Sequence, residues 1–113
     1  IGYRALQPAV VEDNKIIISN EVMGTRLVQV EMADGKLQAK EVWTSRNLKP
    51  DFNDLVVHNG FVYGYDGAIL WCIDLATGKR RWKGGRYGKG QLLLIADSNQ
   101  IVVLSETGEV VLI

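Results

Sequence analysis

Cysteine, histidine and proline are scarce in this sequence, and the shortage of cysteine excludes two kinds of structure. Among 113 residues, Cys72 is the single cysteine, His58 is the single histidine, and proline occurs only at positions 8 and 50. One cysteine cannot build an internal disulfide framework, and a metal site made from several thiolates needs more of them. The sequence therefore excludes a disulfide-stapled fold and a zinc site of several cysteines.

Long hydrophobic runs are also missing. Apolar runs such as Leu92–Ala96 are far shorter than the roughly 20 residues that cross a bilayer as a helix. We therefore expect no membrane span and no signal-peptide core at the N-terminus. Ile1 is not an initiating methionine and Ile113 lies within an apolar run, so we expect this chain to be part of a longer one.

An excess of charge of either sign is missing as well. Thirteen basic and thirteen acidic side chains cancel to a formal net charge of zero, so the broad positive field that drives non-specific nucleic-acid binding is not expected. The hydrophobic content of 47% and the charged content of 23% are typical of an ordinary globular domain. We predict one domain at most and no nucleic-acid partner.

Short runs of Val, Ile, Leu, Tyr and Trp recur between turn residues, without an apolar stripe of helical period. Turn pairs such as Asp34-Gly35 and Asn59-Gly60 supply the positive φ angles of tight hairpins. This pattern predicts an all-β antiparallel meander. The predicted strands are 9–12, 15–20, 25–32, 37–44, 54–58, 61–65, 68–74, 79–83, 92–96, 100–105 and 109–113.

The order of strands and turns repeats along the chain. The segments AVVEDNKIIIS (9–19), LVVHNGFVYGY (55–65) and LLIADSNQIVVLS (93–105) superpose an apolar strand, a polar turn and a second apolar strand. A period near 40 residues with four short strands in each unit is typical of β-propeller blades. We predict a partial propeller of about two and a half blades, with repeats near 9–46, 54–90 and, incomplete, 92–113.

One repeat also resembles a known family. The segment FVYGYDGAILWCIDLATGKRRW (61–82) is similar to the blade repeat of the pyrroloquinoline-quinone (PQQ) enzyme-like propellers, and residues 47–112 resemble uncharacterised bacterial proteins built from such repeats. The matching motif residues are Asp74, Thr77, Gly78 and Trp82, and Trp43 holds the tryptophan position of the first repeat. The resemblance implies an extracytoplasmic, for example periplasmic, location. A tryptophan at the same point of each repeat is also expected to dock between neighbouring sheets, where a large indole buries much area.

The resemblance leaves two main functions open. Similar repeats form non-catalytic scaffolds that bind proteins or other ligands on a loop face, and similar repeats also form quinone-dependent dehydrogenases that hold PQQ with calcium. This chain has no Cys-Cys pair, and neither a calcium set nor a catalytic aspartate can be matched to that second family. We expect a scaffold or binding module without a cofactor in this segment, completed by further blades or by self-association. The alternatives are a dehydrogenase whose catalytic residues lie elsewhere and an unrelated hydrolytic propeller.

The segment KRRWKGGRYGKGQ (79–91) is rich in glycine and in cations, a composition that could indicate a phosphate-binding loop or a connector. A phosphate-binding Walker loop needs a first glycine where this chain has Lys83 and a hydroxyl where it has Gly90, and the following residues predict a strand instead of a helix. We interpret the segment as a glycine-rich connector between two blades. The alternative is an anion or partner patch formed by Arg86, Tyr87 and Lys89.

Four further features are candidate sites. Asp51, Asn53 and Asp54 could supply oxygen ligands to a hard cation, although turn capping after Pro50 explains them more simply. We expect His58 to be a solvent-facing turn residue and Cys72 a small buried side chain instead of a nucleophile. Trp71 could stack on a ligand, whereas Trp43 and Trp82 are expected to lie in the core.

Overall fold

The computed structural model describes residues 9–12, 14–20, 24–46, 48–49, 55–88 and 90–113. In these residues it is an all-β protein with a single 3-10 turn, Ala96–Ser98, which confirms the all-β part of the predicted fold class. The strands are β1 (Ala9–Glu12), β2 (Lys15–Asn20), β3 (Gly24–Ala33), β4 (Lys36–Ser45), β5 (Val56–His58), β6 (Phe61–Asp66), β7 (Ile69–Asp74), β8 (Arg80–Arg86), β9 (Gln91–Ile95), β10 (Gln100–Leu104) and β11 (Val110–Leu112).

The strands form three antiparallel sheets, in each of which neighbours in sequence are neighbours in space. The first sheet has the order β1-β2-β3-β4, the second β5-β6-β7-β8 and the third β9-β10-β11. Tight turns produce this order: Asp34 and Gly35 both have positive φ, as do Asn59 and Gly60, which matches the turn type that joins twisted hairpin strands. The first and second sheets lie within the predicted ranges 9–46 and 54–90, and the third begins at Gln91, one residue before its predicted range.

One strand boundary differs from the prediction in a way that matters below. β8 continues to Arg86, whereas the sequence predicted an end at Lys83. Gly84 and Gly85 therefore belong to the strand and not to the connector. Glycine is tolerated here because a β-bulge between Ile69 and Leu70 of the paired strand takes up one extra residue of β8.

The sheets stack face to face, and a separate cluster of buried side chains fills each joint. Members of the joint between the first and second sheets are Ile17, Leu27, Trp43, Leu48, Val62, Trp71, Ile73 and Leu75. Members of the joint between the second and third sheets are Tyr65, Leu70, Ile101 and Val103, flanked by Leu92, Leu94 and Val111. The hydrophobic core is thus two layers between three sheets.

The connector at each joint is anchored through a backbone carbonyl, which bonds to the preceding sheet at Leu48 and to the following sheet at Tyr87. Leu48 follows Trp43 by five residues, and Tyr87 follows Trp82 by five. Leu48 is fully buried, and its carbonyl accepts a hydrogen bond of 2.8 Å from the Thr25 hydroxyl. The Tyr87 carbonyl accepts a hydrogen bond of 2.8 Å from the Glu106 amide. Each connector therefore places one apolar side chain in the joint and bonds through its backbone to an adjacent sheet.

Candidate functional site

Trp43 and the turn that contains Asp74, Thr77 and Gly78 meet at the joint between the first and second sheets. Trp43 is 8% exposed, its Nε1 donates a hydrogen bond of 2.7 Å to the Leu75 carbonyl, and its indole lies directly over Gly78. The turn beneath the indole is shaped by its own residues. Asp74 accepts hydrogen bonds from the Ala76 amide through its carboxylate and from the Gly78 amide through its carbonyl, and the Thr77 hydroxyl accepts one from the Lys79 amide. The contacts of Trp43 with Leu75 and Gly78 join the two sheets, and those within the turn fix its shape.

Trp82 does not repeat this arrangement, and the expectation that it lies in the core is wrong. It is 39% exposed and tilts against Tyr63, with ring centroids 6.1 Å apart. The reason lies in the third sheet, where Gly108 belongs to the turn between β10 and β11. No atom lies within 4 Å of the position a Gly108 Cβ would take, so no glycine turn of the described third sheet receives the indole.

The Tyr63–Trp82 pair instead separates two small clefts. One, of about 130 Å³, lies between the second and third sheets and includes His58, Asn99 and Ile113. The other, of about 180 Å³, includes Phe61, Cys72 and Arg81. Both clefts are smaller than the volumes of several hundred Å³ typical of drug-sized ligand sites.

His58 is half-buried and links two turns instead of facing solvent freely, so the prediction for it was only partly right. Its Nε2 lies 2.7 Å from Oδ1 of Asn99, and Asn59 donates to the same oxygen at 3.2 Å. The tautomer protonated at Nε2 donates to this oxygen, whereas in the other tautomer Nε2 accepts from Nδ2 of Asn59, 3.1 Å away. His58 therefore joins the β5–β6 turn to the β9–β10 turn, and Nε2 is already engaged.

Cys72 is buried, 2% exposed, as predicted. Burial raises the pKa of its thiol, with a partly opposing hydrogen bond from Tyr63 and the positive charge of Arg81. The thiol is therefore protonated at neutral pH, whereas a cysteine nucleophile reacts as its thiolate. This environment fits a core side chain.

Three cations share one face of β8 because two β-bulges reset the alternation of side chains. Arg80 is opposite Ile73, Lys83 opposite Trp71 and Arg86 opposite Ile69, and the register shifts between these pairs. All seven residues of β8 are exposed. We call Arg80, Lys83 and Arg86 the β8 cation row.

The cation row is built around Trp71. The guanidinium carbon of Arg80 lies 5.3 Å from the Trp71 ring centroid, and Nζ of Lys83 lies 5.4 Å from it. Both distances are within the range of a cation–π interaction. Trp71 itself is 7% exposed and covered by these two cations. A shallow trough of about 340 Å³ follows, lined by Ile69, Lys83, Gly84, Gly85 and Arg86.

The patch predicted from the sequence is divided by the structure. Arg86 joins the β8 cation row, whereas Tyr87 is half-buried, meets Tyr65 edge-on at 6.3 Å and donates its amide to the Ala68 carbonyl. Lys89 lies outside the described residues, so its part in the patch stays a prediction. The candidate ligands Asp51, Asn53 and Asp54 also lie outside them. Sequence reasoning missed that Arg80 and Lys83 lie on the same face of β8 as Arg86.

Asp66 is an acidic group close to the cation row. Burial raises the pKa of its carboxyl, and this effect is opposed by the Lys49 amide, which donates to Oδ1 at 3.3 Å, and by the charges of Lys49 and Lys83. The carboxylate is therefore partly engaged by the connector. Asp66 thus places one negative charge beside Lys83.

Tyr65 provides a test of the second joint. Its side chain is fully buried, its hydroxyl has no hydrogen-bond partner among the described residues, and burial, with a smaller effect of Tyr87, raises the pKa to about 12. Because the folded pKa exceeds the ordinary value near 10, the folded state is destabilised as the pH rises from about 10 to about 12. We expect the Tyr65→Phe variant to lack this contribution.

The measurement is urea unfolding of wild type and Tyr65→Phe from pH 7 to 11.5. At pH 7 the variant should equal or exceed wild-type stability by up to about 1 kcal/mol, because an unsatisfied buried hydroxyl is removed. Above pH 10 the difference should grow in favour of the variant. A difference that stays constant across this range would contradict the assigned burial of the hydroxyl.

The described residues contain neither a metal-binding cluster nor a membrane-spanning helix. No group of three or more His, Cys, Asp or Glu side chains is placed to hold a metal ion within the described ranges. In the same part of the chain, none of the elements is a helix of the length and apolarity needed to cross a membrane.

Comparison with known proteins gave no assignment. No family model matches this chain, and no curated protein was found to match its sequence.

Proposed function

We propose that this chain is a non-catalytic scaffold and binding module made of propeller-type sheets, which stacks with further sheets and presents its exposed strands and loops to a protein partner. The observation that carries the proposal is the outer face of the third sheet. That face is aliphatic, and in the described structure it lies against no other sheet.

The outer face is formed by side chains paired across β9, β10 and β11. Leu93 pairs with Val102 and Val102 with Leu112, while Leu104 pairs with Val110. Leu93, Leu112 and Val110 are 64%, 58% and 72% exposed. A continuous aliphatic face of this kind marks an association surface. We call Leu93, Val102, Leu104, Val110 and Leu112 the outer aliphatic face.

The two joints inside the chain support the proposal that another sheet packs on the outer aliphatic face. At each joint one sheet lays an apolar face on the next, and a connector residue, Leu48 or Tyr87, fills the joint beside it. β5 and β9, the first strands of the second and third sheets, approach each other. Stacked meanders that converge at their first strands are the arrangement of propeller blades.

The environments of two reactive side chains, Cys72 and His58, support a non-catalytic scaffold. The Cys72 thiol is buried with a raised pKa, and Nε2 of His58 is engaged by Asn99. A nucleophile and a base need to be within hydrogen-bond reach of each other, and these two groups are engaged in separate contacts. The burial of Cys72 and the contact of His58 with Asn99 thus agree with a binding module.

The outer aliphatic face gives a direct test by self-association. We expect the wild-type chain of 12.6 kDa to associate in light-scattering measurements at micromolar concentration, with fixed tryptophan signals in near-ultraviolet circular dichroism. The Leu93→Asp/Leu112→Asp double variant should be monomeric and equally folded, because charges on this face oppose a second sheet. The matched control is Leu37→Asp, at a position that is 72% exposed in β4, which should associate like wild type.

Two outcomes would overturn the proposal. One is a wild-type chain that stays monomeric and folded at all concentrations, since the face would then attract no sheet. The other is tight 1:1 binding of pyrroloquinoline quinone with calcium-dependent dye reduction, which would favour the quinone-dependent dehydrogenase instead.

A further inference from the structure

We propose that β8 receives an acidic peptide in extended conformation as a fifth strand of the second sheet, with carboxylates at alternate positions of the peptide facing the β8 cation row. This inference rests on the proposed function and deepens it, because it names the chemistry of the protein partner and the edge where that partner binds.

The three cations of the β8 cation row share one face of the strand. In a regular strand, residues three apart point to opposite faces, so Arg80 and Lys83 would diverge, as would Lys83 and Arg86. The register shifts between Cys72 and Ile73 and between Ile69 and Leu70 each insert one residue into β8. The two β-bulges therefore turn a spacing of three residues into one continuous row.

The cations of the row have the spacing of alternate side chains in an extended strand. The partners of the three cations on β7 are Ile73, Trp71 and Ile69, which are two residues apart. At about 3.3 Å per residue, two residues of a strand span roughly 6.6 Å. Alternate side chains of any extended peptide have the same spacing. Carboxylates at positions i, i+2 and i+4 of an added strand thus meet one cation each.

β8 is an edge strand of the second sheet. Among the described strands, β8 is hydrogen-bonded to β7 alone, and it ends the order of the second sheet. An edge strand presents unpaired amides and carbonyls to a further strand. No atom lies within 4 Å of the Cβ position of Gly84, so no side chain crowds that face of the sheet beside the centre of β8.

The positive charge of the β8 cation row favours an acidic partner. Cations on an edge strand oppose pairing with a second copy of the same edge, because like charges would face each other. The same charges attract a strand of opposite sign. Arg80 and Lys83 are also held over the Trp71 ring, which limits the side-chain entropy that binding would remove.

The test uses two labelled peptides of one composition. The alternating probe is acetyl-Thr-Glu-Thr-Glu-Thr-Glu-Thr-amide, and the block probe is acetyl-Glu-Glu-Glu-Thr-Thr-Thr-Thr-amide. We expect fluorescence anisotropy at low salt to give an affinity for the alternating probe about tenfold higher, because only its carboxylates match the row. Amide hydrogen exchange in β8 should slow when the alternating probe binds, since a paired strand protects amides that a diffuse ion cloud leaves open.

Three variants separate the row from simple charge. Arg80→Glu/Lys83→Glu/Arg86→Glu should lower the affinity for the alternating probe by about tenfold or more, whereas Lys36→Glu/Lys40→Glu, which reverses two exposed cations of β4, should change it less than twofold. The Lys83→Gly/Gly84→Lys exchange keeps the net charge and moves the central cation to the other face. It should abolish the preference for the alternating probe.

Equal binding of both probes, or binding without slower amide exchange in β8, would overturn the added strand and leave a non-specific polyanion surface. No binding of either probe would overturn the proposal outright. Near-ultraviolet circular dichroism of each variant shows whether it is folded. The proposed stacking function is tested separately by the mass of the Leu93→Asp/Leu112→Asp variant, so the failure of one proposal is distinguishable from the failure of the other.

Discussion

Replacing Trp43 with alanine should lower the free energy of unfolding by about 3–5 kcal/mol, as expected for removal of a large buried aromatic side chain. Trp43 is 8% exposed, and its Nε1 donates at 2.7 Å to the Leu75 carbonyl. The substitution therefore opens a cavity between the first two sheets and leaves that carbonyl without its donor. The measurement is urea unfolding followed by circular dichroism.

Trp82 supplies the matched control for this experiment. It has the same side chain and the corresponding place in the repeat, but it is 39% exposed, so Trp82→Ala should cost no more than about 2 kcal/mol. Equal costs for the two variants would contradict the difference between the joints. They would indicate that Trp82 is covered in solution as Trp43 is.

The Gly78→Ala variant should be destabilised by about 2–4 kcal/mol through two additive causes. Gly78 has a φ of +74°, a conformation that costs an alanine roughly 1 kcal/mol or more. An added Cβ would also lie 2.5 Å from Cδ2 of Trp43, so the indole or the turn must shift, at a further cost of about 1–3 kcal/mol. Urea unfolding measures the sum.

Gly108→Ala separates the two causes, because Gly108 also has positive φ but no atom lies within 4 Å of its Cβ position. It should cost only about 1 kcal/mol. In the Trp43→Ala background, the cost of Gly78→Ala should fall to the same value, since the indole that it meets is gone. Additive costs in the double variant would show that the indole does not lie over Gly78.

The sequence predicted the strands well because their signals are local. Pairs such as Asn59-Gly60 determine a hairpin turn from two residues alone, and the β-branched runs between turns need no distant partner. Asp74, Thr77 and Gly78 were likewise predictable, since each acts within its own turn. For the same reason, the burial of Cys72 followed from its place in an apolar strand.

The features that were missed depend on partners distant in sequence. The shared face of Arg80 and Lys83 follows from bulges opposite β7, and strict alternation predicts the reverse. The exposure of Trp82 depends on which turn of the third sheet lies beside it. Leu48 could have been found, because an apolar residue follows Trp43 and Trp82 at the same distance, but that signal consists of only two instances.

The contact of Trp43 with Gly78 has a consequence for symmetry. One sheet contributes the indole and the next contributes the glycine turn, so the joint has two different sides. A twofold axis would place like against like, and a joint of this kind cannot be built that way. Copies joined in this manner are related head to tail, which yields either a closed ring or a fibre that grows without limit. A minor fraction of Leu93→Asp/Leu112→Asp subunits would then act as chain terminators, shortening a fibre in proportion to their amount.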